Sequence, residues 1–251
     1  MAVQGSYSHA YASKALVAEG SRFNGTALWD RTRYGSAVPH TWDPNSLSPH
    51  SAVQRLVEGN RRFCTEGAAP AARTFSPNLA EQPQRPFAIV LGCSDSRTPV
   101  EILFDEGFGD LFVVRIAGNV VAPSVVGSIE FAASQFGTRL VVVLGHTRCG
   151  AITATAQALH TGDGPASRNI RSITDRIAPH IEPMVRANTE VSELAFLRAL
   201  MRINVRASVD HLRHGSRLLE ELVLAGRLAV VAADYELETG RVQFFDGIPP
   251  E

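Results

Sequence analysis

Lysine is almost missing from this chain: Lys14 is the only one among 24 basic residues, and the rest are arginines. Those arginines are scattered and the formal net charge is −1. Nothing in the charge pattern therefore favours nucleic acid or an anionic membrane as a partner. Long apolar runs are missing too, since no stretch approaches the roughly 18 residues that span a bilayer. The N-terminus does not show a basic patch, an apolar run and a small-residue cleavage site in order. Cysteine is scarce, with three in 251 residues, too few for a disulfide framework in a chain of this size. These absences together lead us to expect a cytoplasmic location. Hydrophobic residues make up 45% and charged residues 20%, which is enough to bury a sizeable core.

Residues 1–48 differ from the rest. They hold three of the four tyrosines and both tryptophans, Trp29 and Trp42, without a sustained period, and are expected to form a partly ordered N-terminal arm. An arm that packs on a neighbouring subunit is a second reading. Arg22, Arg31 and Arg33 are a thin basis for a transit segment. Residues 49–251 are expected to form one domain. Val53, Leu56, Val57 and Phe63 recur at helical spacing, and Cys64 is expected to be a packed thiol near that helix's end. Strands are expected near 87–92, 111–116, 139–144 and 228–232, with a last one over 241–245 after the Thr239-Gly240 turn. Helices are expected at 123–136, 149–160, 169–185, 193–214 and 216–224. This alternation predicts an α/β fold: a mostly parallel sheet of about four strands plus a C-terminal antiparallel one, flanked by helices.

Two segments carry the chemistry. Cys93-Ser94-Asp95-Ser96-Arg97 follows the apolar run Phe87–Leu91, and His146-Thr147-Arg148-Cys149-Gly150 follows Leu140–Leu144. Ligands in such sheets sit beyond the carboxyl ends of strands, where both segments fall. Two sulfurs and one nitrogen, from Cys93, Cys149 and His146, suit zinc, and three protein ligands leave a fourth position open, the pattern of a catalytic site. All three must be deprotonated to bind, so metal affinity should fall in acid. Gly150 opens a helix, where an unpaired N–H can meet an anion; it also reads as a packing glycine. The other histidines, His40, His50, His160, His180, His211 and His214, read as loop or helix-face residues.

The two segments resemble those of the β-class carbonic anhydrases. The likeness runs through Gln84, Pro86 and Phe87, through 109–119, Ser128-Ile129-Glu130-Phe131 and 235–240, and so covers roughly residues 50 to 248. It implies one zinc per chain on Cys93, His146 and Cys149, and a catalytic Asp95–Arg97 dyad. Asp95 is either an acceptor held off the metal by Arg97 or, with that pair broken, a fourth ligand. The implied reaction is reversible hydration of CO2 to bicarbonate and a proton by zinc-bound hydroxide. The bound-water pKa of about 7 belongs to carbonic anhydrases with three histidine ligands; two thiolates donate more charge, so a more basic water is expected here. The resemblance further implies a homodimer or multiple of dimers, with Gln84 donating to substrate across the interface. It also implies a pocket lined by Phe112, Ala117 and Phe131, which equally suit a core.

The chain departs from the family in places. Val90 stands where some members carry the tryptophan of a noncatalytic bicarbonate site. Arg115 matches that site's arginine, but without the indole no such lock is expected. Arg148 is bulkier than the residue often found between the ligands. Two other functions fit the same residues, a zinc hydrolase of CS2 or COS and a noncatalytic zinc-stabilised module. A Cys–His nucleophile is weaker, because it leaves Cys93 without a task.

Overall fold

The computed structural model describes residues 47–66, 77–81, 83–165, 167–187 and 192–250. The expected arm over 1–48 lies outside them, apart from its last two residues. Five strands form one sheet: β1 (Ala88–Gly92), β2 (Leu111–Arg115), β3 (Leu140–His146), β4 (Ala229–Tyr235) and β5 (Val242–Asp246). Their order is β2-β1-β3-β4-β5. The first four are parallel and β5 runs antiparallel to β4, so the expected α/β architecture is what the chain adopts.

Alternation along the strands makes the two faces. Ile89 and Leu91, Val141 and Val143, and Val230 and Ala232 point into one core. Ala88 and Val90, Leu140 and Val142, and Val231 and Ala233 point into the other. Both faces being apolar, the strands read as nearly unbroken hydrophobic runs, as buried parallel strands do. The first core is covered by α3 (Pro123–Gln135), α4 (Gly150–Thr161), α5 (Arg168–Arg186), α6 (Glu193–His214) and α7 (Arg217–Leu224). The second is covered by α1 (Pro49–Glu66) and the short α2 (Val100–Leu103). Ser167, Ser192 and Ser216 cap α5, α6 and α7 with their hydroxyls, each satisfying an otherwise unpaired first-turn amide.

Three expectations need correcting. Strand β4 runs past Ala232 to Tyr235, because Asp234 is buried with arginine partners from α6 rather than ending the strand. Val57 is exposed, while Ala52, Val53 and Leu56 carry the buried face of α1. Cys64 is exposed rather than packed, its Sγ 3.9 Å from both Asn60 Oδ1 and the Thr239 carbonyl.

The topology fixes where a site belongs. From β1 the chain crosses to β2 on one side, and from β3 it crosses to β4 on the other. The carboxyl ends of β1 and β3 are neighbours, with Gly92 level with Leu144. At such a switch point the crossover connections diverge and leave a crevice.

Candidate metal centre and active site

Cys93 follows the last residue of β1, His146 ends β3, and Cys149 is the N-cap of α4. Neighbouring parallel strands thus deliver donors from distant parts of the sequence to one point. Their ligand atoms all lie within 4.8 Å of one another, and all three residues are buried.

The donor set fits a soft or borderline metal ion. His146 Nδ1 lies 2.8 Å from the Thr147 carbonyl, so it carries the proton and leaves Nε2 as a bare acceptor. That Nε2 is buried with no hydrogen-bond partner among the described residues, a costly state unless something occupies the space it faces. The sulfurs are uneven. A hydrogen bond from Cys149, reinforced by backbone amides, pulls the Cys93 thiol well below its ordinary value. Its negative neighbour and burial push Cys149 up. The Gly118 amide, 3.4 Å from Cys93 Sγ, donates to it.

Asp95 is pinned away from the donors. Its Oδ1 accepts from Arg97 N and Nε at 3.0 and 2.9 Å, and its Oδ2 accepts from Arg97 Nη2 at 2.7 Å. This fork is the strong, directional form of the arginine–carboxylate pair. The Arg97 guanidinium holds the Asp95 carboxyl well below the usual range, so it stays ionised in neutral solution. Asp95 Oδ2 still lies 4.0 Å from His146 Nε2, close enough to face whatever sits among the donors.

The loop behind the dyad is fastened from several directions. Thr98 Oγ1 donates to the Cys93 and Asp95 carbonyls at 3.2 and 2.9 Å. Arg115, at the end of β2, donates to the same two carbonyls, Nε at 3.0 Å and Nη2 at 2.7 Å. Arg115 thus braces the first ligand loop. Gly118 sits at φ 66 and its carbonyl accepts from Asn204 Nδ2 of α6 at 2.9 Å.

Comparisons with known proteins identify the family. The family model described as carbonic anhydrase matches residues 88–242, more than half of the chain. A carbonic anhydrase of Mycolicibacterium smegmatis is 39% identical over 201 residues, covering 80% of this chain and 94% of the relative. The chain belongs to the β-carbonic anhydrase family. Carbonic anhydrase 2 of Mycobacterium tuberculosis is 35% identical over 206 residues, covering 82% of this chain and 96% of the relative. Among solved structures, a tetrameric β-carbonic anhydrase of Sordaria macrospora has a TM-score of 0.61 at 21% identity, covering 78% of this chain and 97% of that one. The Coccomyxa β-carbonic anhydrase in complex with acetazolamide has a TM-score of 0.59 at 24% identity, covering 77% and 86%; these two likenesses are of fold.

In this carbonic anhydrase the structure gathers Cys93, Asp95, Arg97, His146 and Cys149, with Gly150 as the first residue of α4. A Cβ at Gly150 would meet nothing within 4 Å, so the position is open rather than packed. Ala117 opens the 3-10 turn containing Gly118. Phe112 and Phe131 face each other, centroids 6.4 Å apart, and both contact Phe136. Gln84 is exposed in the segment before β1. Sequence reasoning misses Thr98, Gly118 and the bracing role of Arg115. Their contacts are to backbone and sulfur across the sheet, and no spacing marks such contacts.

Proposed function

We propose that Cys93, His146 and Cys149 hold one zinc ion and that the chain interconverts CO2 and bicarbonate. One observation carries the reading: three buried soft donors converge beside a carboxylate that Arg97 keeps out of the donor set. Zinc bound there supplies Lewis acidity, making a water nucleophilic near neutral pH.

The chain's own residues do the rest. Ionised Asp95 accepts hydrogen bonds and donates none. It therefore orients an O–H group at the donor cluster and disfavours an unprotonated oxygen in that place. Arg97 keeps it ionised and away from the donors. The Gly150 amide, in the first turn of α4, has no earlier helical carbonyl to bond and is free to donate to a bicarbonate oxygen. Phe112, Ala117 and Phe131 offer apolar surface suited to a nonpolar substrate. Their role as pocket residues rests on the family resemblance, as does that of Gln84 across a dimer interface. The S. macrospora relative is described as tetrameric, which supports assembly in multiples of dimers here.

Stopped-flow CO2 hydration at pH 7 and pH 8.5, on protein assayed for zinc, tests this reading. About one zinc per chain with turnover at both pH values is the expected result. Turnover confined to pH 8.5 would mean that Asp95 closes the site at rest. Full zinc with no turnover at either pH would overturn the assignment.

A further inference from the structure

The turn between His146 and Cys149 is not self-supporting. It is two residues long, and Arg148 sits at φ 56, in the left-handed region that costs a residue with a Cβ roughly 1–2 kcal/mol. Such a conformation persists where its surroundings over-determine it. Here the surroundings are the β4–β5 hairpin. The Thr147 N–H donates to the Tyr235 carbonyl at 2.9 Å, and the Leu237 N–H donates to Thr147 Oγ1 at 3.0 Å. The Thr147 hydroxyl donates onward to Glu238 Oε2 at 3.0 Å, and Arg148 Nε donates to Glu238 Oε1. One carboxylate thereby grips both residues of the turn. Thr147 passes the restraint on, because its carbonyl accepts from His146 Nδ1.

We infer that Glu238 is a positioning residue: through Thr147 and Arg148 it fixes the turn that aims His146 and Cys149 at a common point, and so sets how tightly the metal is held. This rests on the metal reading above. The exposures separate a positioning role from a merely structural one. The Arg148 and Glu238 side chains are 59% and 37% exposed, and ion pairs of that kind contribute little to global stability. Thr147, by contrast, is buried and touches the ligand itself. Loss of Glu238 should therefore loosen the ligand geometry while leaving the fold in place. Groups that orient a metal's ligands typically change its affinity by about 10–100-fold.

The test is cobalt(II) binding to the full chain, measured by competition with a chromophoric chelator and by the visible cobalt–thiolate bands. Glu238→Ala and Thr147→Val should each lower affinity by about tenfold and alter the bands. Glu238→Gln keeps an acceptor for the Thr147 hydroxyl and Thr147→Ser keeps the hydroxyl, so both should stay within about threefold of the wild type. The metal-free Glu238→Ala chain should unfold within about 2 °C of the metal-free wild type. A Glu238→Ala chain that binds cobalt like the wild type, with the same bands, overturns the clamp and leaves the metal reading intact. A loss of affinity matched by a large fall in metal-free unfolding temperature also overturns it, in favour of a structural role. Failure of the wild type to take up cobalt overturns the metal reading and this inference with it.

Discussion

Replacing Gly118 by alanine should be disproportionately destructive. Its φ of 66 and ψ of 17 lie in the left-handed region, where a Cβ costs roughly 1–2 kcal/mol. That Cβ would also stand 2.9 Å from Ile177 Cδ1 and 3.1 Å from Ala151 Cβ. Ile177 is fully buried and has no solvent to swing into. Overpacking of this kind adds roughly 1–3 kcal/mol. Reduced freedom of the unfolded chain returns about 0.4–1 kcal/mol, which leaves a net loss of about 1–5 kcal/mol. Gly127 is the control. It lies inside α3, where an added methyl group would meet nothing within 4 Å, so Gly127→Ala should stabilise by about 0.5–1 kcal/mol through helix propensity. Urea midpoints of both variants and the wild type, at one protein concentration, decide the matter. Gly118→Ala within about 0.5 kcal/mol of the wild type, or Gly127→Ala equally harmful, would refute the reasoning. The Gly118 amide also donates to Cys93 Sγ; alanine keeps that N–H, but a turn pushed aside by the added methyl group would carry it away from the sulfur, so Gly118→Ala should additionally weaken metal retention.

Three further outcomes are expected. Asp234 is fully buried between Arg198 and Arg202, so Asp234→Ala removes the carboxylate they share and leaves Arg198 with Glu236 and Arg202 with Gln243; it should cost about 2–3 kcal/mol by urea denaturation. A chromogenic thiol reagent should find one fast thiol, exposed Cys64, in metal-loaded protein; chelation should add the buried Cys93 and Cys149. Because Arg97 depresses the Asp95 carboxyl, their pairing stabilises the fold above the unfolded carboxyl value of about 3.9 and is lost as pH falls through the folded one. The stability gap between wild type and Arg97→Ala, read from urea midpoints across an acid series, should therefore close in strong acid; a gap that widens there would contradict the pairing.

The donors are legible in the sequence because cysteine and histidine are rare enough to stand out at the ends of two apolar runs, and helical spacing marks α6 from Glu193 to His214 as observed. The same kind of pattern cuts β4 short, because Asp234 reads as a terminator. Its compensation lies on α6, where Arg198 and Arg202 fall on one face four residues apart, and a pattern search along one segment does not see a partner on another. Glu238 is a sharper case. As one residue of a hairpin turn it looks like solvated charge, and only the folding of that turn over the end of β3 brings it to Thr147. Cys64 misleads in the opposite direction, since thiols are usually buried and this one faces solvent.

The order of the strands also bears on how the protein is made. Cys93 emerges from a ribosome well before His146 and Cys149, and its neighbour in the sheet, β3, follows only after β2 and α3 have been synthesised. At roughly 5–20 residues per second, the first thiol waits for seconds without its partners. The hairpin that clamps the second segment follows later still. A nascent chain thus presents an isolated cysteine, then an unclamped three-donor cluster, and completes its centre only once β4 and β5 have followed. The three-donor cluster in that sense depends on strand pairing across the middle of the sheet, between segments made far apart in time.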